Sequence, residues 1–190
     1  MPRPVTRFTV AEYLALEAAS ETKHEYDNGE IIAMAGASPR HNLISMNVAS
    51  ALRQLLAESP CRVFGSDQRV RVDATDAYAY PDVSVVCSEP RIGDDRPASL
   101  LNPILLVEIL SPSTADYDRG AKLAHYRRLA SVREILLVES DARRVELYRR
   151  LDDGTWKIKD FVDGTIALES AGVALALDEI YAKTEGLPQG

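Results

Sequence analysis

The run Ile104-Leu105-Leu106-Val107-Glu108-Ile109-Leu110 constrains this chain most, because every neighbour of its single carboxylate is aliphatic. A run of this kind reads as a strand buried on both faces, and such a strand has no cheap place for an unpaired charge. A helical pattern over Asp116 to Ala130 and a second apolar strand over Glu134 to Glu139 follow, the order of a right-handed parallel βαβ unit. The chain therefore holds an α/β (α+β) core built around a strand whose carboxylate must be compensated.

Asp82 poses the same problem. It opens the β-branched run Val83-Ser84-Val85-Val86 after Pro81, so it is expected at a sheet end. Two carboxylates on neighbouring strands repel unless a proton or cation lies between them. Hard oxygen ligands suit Mg²⁺, or Mn²⁺ in its place, and such an ion can activate water and neutralise a phosphate. Asp82 and Glu108 are thus candidate metal ligands for phosphodiester hydrolysis. On the following helix, Lys122, Tyr126 and Leu129 share one face, which brings one lysine onto a stripe suited to packing on the sheet. Its ammonium could hold the attacking water or a phosphate oxygen.

Each residue has a plainer use. Asp82 could cap backbone amides at a strand start, and Glu108 could pair with a buried arginine. Lys122 could pair with Asp118 at the i−4 position, a common helical spacing. Ser111-Pro112-Ser113-Thr114 lacks the Gly-x-Ser-x-Gly elbow of a serine nucleophile, so its hydroxyls are expected to cap the helix.

The remaining elements frame this core. Thr9 and Glu12 form a capping box that opens a short helix from Val10 to Glu17, a lid or packing element. Asn28-Gly29 is the turn of a hairpin joining His24–Tyr26 to Glu30–Met34, which places Glu25 on a strand. Ser38-Pro39 starts a helix reaching about Glu58, with Leu43, Met46, Val48, Leu52, Leu55 and Leu56 as its apolar stripe and His41 at its beginning. Strands over Cys61–Phe64 and Gln68–Val72 precede a loop from Asp73 to Ala79, and a Pro- and Asp-containing loop from Ser88 to Asn102 is expected to move. Val145–Tyr148, Trp156–Val162 and Ile166–Leu168 form an antiparallel C-terminal meander.

At 190 residues the chain suits one domain. Within 1–190, the N-terminal helix and hairpin take 9–34, the core about 39–140 and the meander 143–182. No stretch suits a membrane span or signal peptide, so a cytoplasmic protein with reduced, half-buried Cys61 and Cys87 is expected. The net charge of −7 argues against a protein that coats nucleic acid indiscriminately. Residues 119–150, however, carry nine Lys/Arg against four Asp/Glu, a local +5 on a remainder of −12. Arg127, Arg128, Arg133, Arg143, Arg144, Arg149 and Arg150 could face DNA or be ordinary solvated charges.

Taken together, Tyr80-Pro81-Asp82-Val83-Ser84-Val85-Val86, Leu106-Val107-Glu108-Ile109-Leu110-Ser111-Pro112-Ser113-Thr114, and Asp118, Lys122 and Tyr126 resemble the Uma-type family of restriction endonucleases, a branch of the PD-(D/E)XK superfamily. The likeness also takes in Glu25-Tyr26-Asp27-Asn28-Gly29-Glu30 and His41, and extends to Val173–Ile180. It implies a restriction-endonuclease-like core, a mixed central sheet flanked by helices, and metal-dependent cleavage of DNA. It implies further that Lys122 replaces the lysine the superfamily carries two positions after the glutamate, where this chain has Leu110. The helix from Leu43 to Ala57 lacks the superfamily's acidic residue, and Glu25 or His41 is the candidate replacement. A homodimer would suit an enzyme that cuts both strands. A catalytically silent nucleic-acid-binding or regulatory protein, or a homodimeric interaction protein, are the competing readings.

Overall fold

The computed structural model describes residues 7–34, 36–112 and 114–188; Ser113 of the quoted motif lies outside them. Helix α1 (Val10–Ala19) begins at a complete capping box in which the Thr9 hydroxyl accepts from the Glu12 amide and the Glu12 carboxylate from the Thr9 amide. It buries Tyr13 against Tyr26 and Tyr78, so it is a packing element. Strands β1 (His24–Asp27) and β2 (Glu30–Ala33) meet at Asn28 and Gly29, with φ of 47° and 94°, the left-handed pair a tight hairpin needs.

The main sheet has six strands in the order β10-β9-β8-β7-β6-β3, comprising β3 (Arg62–Gly65), β6 (Val83–Val86), β7 (Leu105–Leu110), β8 (Glu134–Glu139), β9 (Val145–Arg150) and β10 (Trp156–Phe161). Only β7 and β8 pair in parallel, from Leu105↔Glu134 to Leu110↔Glu139, and the other neighbours are antiparallel. A smaller sheet, β2-β1-β5-β4, uses β4 (Val70–Val72) and β5 (Ala77–Ala79). The segment expected to be a loop from Asp73 to Ala79 instead forms a short 3₁₀ turn, Asp73–Thr75, that leads into β5, whose Ala-Tyr-Ala run is recognisable as strand only once β1 and β4 flank it.

Helix α2 (Pro39–Leu55), capped by Ser38, lies on one face of the main sheet. Its buried stripe is Ile44, Val48, Ala51 and Leu52, whereas Met46 and Leu55 are exposed. Of the expected stripe, Val48, Leu52 and Leu56 are buried, while the length of Met46 and Leu55 suggested core positions that Ile44 and Ala51 take instead. The opposite face carries α3 (Ala115–Tyr117), a π-helical turn (Asp118–Lys122) and α4 (Leu123–Tyr126), four residues shorter than expected from Ala130. The Ser111 carbonyl accepts from the Ala115 amide as this helical segment begins, and Thr114 makes no side-chain cap bond.

The C-terminal hairpins divide: β9 and β10 extend the main sheet, while β11 (Thr165–Leu168) and β12 (Val173–Ala176) pair with each other before α5 (Leu177–Ile180). The loop expected to move is pinned. Asp95 accepts from the buried Arg69 and from Ser99, and Leu100 is fully buried. Cys61 and Cys87 form a disulfide, which corrects the expectation of free thiols. The β3–β6 register pairs Arg62 with Val86, so the next position outward sets the two cysteines opposite each other, a juxtaposition that sequence spacing does not reveal. Among the described residues no helix is long and apolar enough to cross a membrane.

Candidate active site

The β6–β7 register ends at Val83↔Val107, and one further step sets Asp82 opposite Glu108. Residues paired across an antiparallel ladder project to the same face, so both carboxylates address one side of the sheet. Asp82 continues the ladder with its side chain: Oδ2 accepts from the Ile109 amide at 2.7 Å. The capping use of Asp82 and its place beside Glu108 are thus one geometry. His41 Nε2 lies 3.4 Å from the same Oδ2, and burial, which would lower the histidine's pKa, is outweighed by Asp82, the Ile109 backbone and Asp118, leaving it raised. Its Nδ1 is buried without a hydrogen-bond partner among the described residues.

Glu108 is 3% exposed and does not pair with an arginine; Oε1 accepts from the Tyr126 hydroxyl at 2.5 Å and faces Lys122 Nζ at 2.9 Å. Lys122, also buried, lies 2.9 Å from Glu25 Oε1 and 3.6 Å from Asp118 Oδ1. The i−4 partner and the sheet carboxylate therefore share one ammonium. Asp118 and Lys122 sit on the π-helical turn, which widens the helix; such turns recur at functional sites. Burial pushes the Glu108 carboxyl well above the usual range, with Lys122 opposing and Asp118, Asp82 and Glu25 adding to the rise. Burial would lower the Lys122 ammonium, but Glu108, Glu25 and Asp118 together hold it well above its ordinary value.

Of the five candidates, His41 contacts Asp82 and Lys122 contacts Glu108, the two pairs being set side by side by the β6–β7 register, and Glu25 joins through Lys122 rather than through Asp82. Glu25 also accepts from the Tyr80 amide at 2.8 Å, which ties the hairpin to the entry of β6. Asp118 and Tyr126 complete the cluster. The sequence signal for them was the helical spacing around Lys122, but nothing local distinguishes a buried aspartate there from a solvated one.

Four acidic side chains, Glu25, Asp82, Glu108 and Asp118, thus lie around Lys122 and His41, more acids than cations, and a bound divalent cation would favour their ionised forms. Among the described residues no three His, Cys, Asp or Glu side chains converge as a ready cage. Two carboxylates with water in the remaining positions match the habit of Mg²⁺, so the donor set fits that ion.

The arginines of the basic segment fall into two sets. Arg119 pairs with Glu139 and Glu146, Arg143 with Asp178, Arg144 with Asp160 and Arg149 with Glu134. Arg127 and Arg150 instead flank the Trp156 ring at 5.5 and 4.9 Å, and burial together with Arg133 and Arg127 lowers the pKa of Arg150. This group lies at the end of the sheet remote from Glu108, beside Ile104, whose carbonyl accepts from Arg133.

A family model described as "Uma2: Putative restriction endonuclease" matches residues 10–178. "Uncharacterized protein slr1290" of Synechocystis sp. is 37% identical over 181 residues, covering 94% of this chain and 93% of its own length. "Uncharacterized protein sll1609" of the same organism is 34% identical over 161 residues, covering 85% and 91%. The fold is shared with a crystal structure from Anabaena variabilis described as "a putative nuclease belonging to DUF820", at a TM-score of 0.75 and 21% identity, over 93% of this chain and 99% of that one. The mixed main sheet with its flanking helices is accordingly a nuclease-type fold, and the chain belongs to the Uma2 family.

Proposed function

We propose that the protein is a metal-dependent phosphodiesterase, an endonuclease hydrolysing DNA. The observation that carries this reading is the placement of Asp82 directly across from Glu108, with Lys122 Nζ 2.9 Å from the Glu108 carboxylate in a buried setting. Asp82 and Glu108 would hold Mg²⁺ or Mn²⁺, which when bound supplies charge neutralisation at the phosphate and an acidified water. Lys122 holds Glu108 through Oε1 and presents positive charge to the reacting phosphate. His41 orients Asp82 through Oδ2, and Glu25 fixes the ammonium of Lys122 from the hairpin side.

A plasmid-nicking assay with Mg²⁺ or Mn²⁺, beside calorimetric titration of each metal, tests the assignment. Metal binding and metal-dependent nicking that D82A abolishes are expected. Nicking by D82A equal to that of the parent protein, or no metal binding and no nicking, would sink it.

One observation favours the competing reading of a silent nuclease-fold protein that binds or regulates nucleic acid: three carboxylates already surround Lys122, which is 4% exposed. DNA binding unchanged by E108Q, without cleavage under either metal, would establish that reading instead.

A further inference from the structure

A cavity of about 290 Å³ opens at the free edge of the main sheet, between the end of α2 and β3. Arg53, Leu56 and Ala57, at i, i+3 and i+4, form one wall, and Cys61 and Val63 form the other. Cys61, Val63 and Cys87 all pack against the core that lies beneath α2, so the disulfide belongs to this face of the sheet. Asp82 precedes β6 and Cys87 follows it, which places the cavity at the opposite end of that strand from the cluster around Glu108.

Strand order decides which sulfur can be reached. Cys61 leads into the edge strand β3, and Cys87 follows β6, which lies between β3 and β7, so the disulfide runs from an inner strand to an outer one. A thiolate attacks a disulfide in line with the bond that breaks, from the side away from the leaving sulfur, and its rate depends on access to that side. Beyond Cys61 the line leaves the sheet at its open edge, where the cavity lies. Beyond Cys87 it meets the segment entering β7, where Pro103 is buried and Ile104 donates its amide to the Val85 carbonyl.

The lining also favours one charge on the thiol. Arg62 lines the cavity, but alternation along β3 turns its side chain to the other face, and its guanidinium pairs with Glu89 at 3.5 Å. Arg53 is exposed and takes part in none of the ion pairs among the described residues, which leaves it as the cation of the cavity. The C-terminal end of α2 opposes it with roughly half a negative charge, less than the full charge of the guanidinium.

We infer that Cys61 is a thiol-exchange site, modified by small thiols that carry a carboxylate, with that carboxylate resting on Arg53. In the step itself the incoming thiolate forms a bond to Cys61 Sγ as the bond to Cys87 breaks. The electron pair leaves on Cys87 Sγ, which takes up a proton, and the product is a mixed disulfide on Cys61 with a free thiol at Cys87. No further oxidant or reductant is needed. The inference stands apart from the nuclease reading, since neither cysteine nor Arg53 belongs to that site.

The test exposes the oxidised full chain to mercaptopropionate, mercaptoethanol or cysteamine, which are anionic, neutral and cationic beside the thiol. Each rate is divided by that of the same thiol with a neutral small-molecule disulfide, which removes differences in intrinsic reactivity. Acid quenching, alkylation with N-ethylmaleimide and peptide mass mapping locate the products. The adduct is expected on Cys61 with the maleimide on Cys87, and the anionic thiol should react about twofold to fivefold faster than the neutral one, the range of one exposed ion pair. Cysteamine should be the slowest. R53Q should remove most of the spread between the three thiols, and A57W, which fills the cavity, should slow them all. Circular dichroism confirms that both variants fold; R53Q alone decides should A57W fail to. An adduct on Cys87, equal relative rates for the three thiols, or a charge preference that survives R53Q overturns the inference.

Discussion

Lys122 Nζ lies 2.9 Å from Glu108 Oε1, and the same ammonium lies 2.9 Å from Glu25 Oε1, so one cation joins the main sheet to the N-terminal hairpin. K122M removes that cation and leaves Glu25, Glu108 and Asp118 together at low exposure. Breaking a buried pair by deleting one partner costs about 3–5 kcal/mol. Urea unfolding of K122M is expected to show a loss of this size, with E25Q/K122M less destabilised than the two single changes summed, because both act on one network. Additive losses would show that Glu25 and Lys122 are energetically independent.

Tyr126 donates to Glu108 Oε1 at 2.5 Å, and Lys122 faces the same oxygen. Under the nuclease reading, Tyr126 is a positioning residue that fixes how Glu108 presents its other oxygen. Hydrogen bonds to charged groups contribute about 1.5–3 kcal/mol. Y126F should therefore lower kcat roughly tenfold to a hundredfold, leave KM for DNA nearly unchanged and raise the metal concentration needed for half-maximal activity. A rise in KM alone would place the hydroxyl in substrate binding instead.

Asp95 fastens the long loop through Arg69 Nη2 at 2.8 Å, with both side chains at 2% exposure or less. Burial opposes ionisation of Asp95, but hydrogen bonds from Ser99 and the charge of Arg69 outweigh it and hold the carboxyl below its ordinary 3.8. A carboxylate depressed in the folded state stabilises above its unfolded pKa and loses that contribution as pH falls through the folded value. Stability measured from pH 6 downward should accordingly fall below about pH 4, and D95N should flatten that part of the profile. D95N should also cost about 3–5 kcal/mol at neutral pH by stranding Arg69. An unchanged acid profile would remove Asp95 from the account.

The Cys61–Cys87 disulfide closes a loop spanning 26 positions. The chain-entropy estimate for such a loop is about 3.5 kcal/mol. C61S/C87S should thus be less stable by up to that amount, and dithiothreitol should lower the melting temperature of the parent protein but not of the double variant. Equal melting temperatures with and without reductant would show that the cross-link adds nothing to the β3–β6 pairing.

Much of the architecture was legible because local patterns and tertiary placement agree. Thr9/Glu12, Asn28-Gly29 and Ser38-Pro39 act within a few residues, and all three ends form as their chemistry dictates. β5 was missed because Ala77, Tyr78 and Ala79 carry no alternation of their own and become a strand only between β1 and β4. In α2 the expected Val48, Leu52 and Leu56 are buried, but Met46 outweighs Ala51 in sequence, whereas the sheet surface has room for the smaller residue.

The sequence by itself determined that Glu108 needed compensation, since an aliphatic strand offers a carboxylate no solvent, and that Asp82 stood at a strand entry. Helical spacing also put Lys122 and Tyr126 on one inward face. What supplies the compensation was decided only by tertiary structure. Register set Asp82 across from Glu108, the hairpin delivered Glu25 to Lys122 across 97 positions, and His41 went to Asp82 rather than to the lysine. The physical reason is that burial is a property of a residue's own segment and can be read there, whereas the partner that makes a buried charge tolerable comes from wherever the sheet register and the helix crossing bring one within hydrogen-bonding reach.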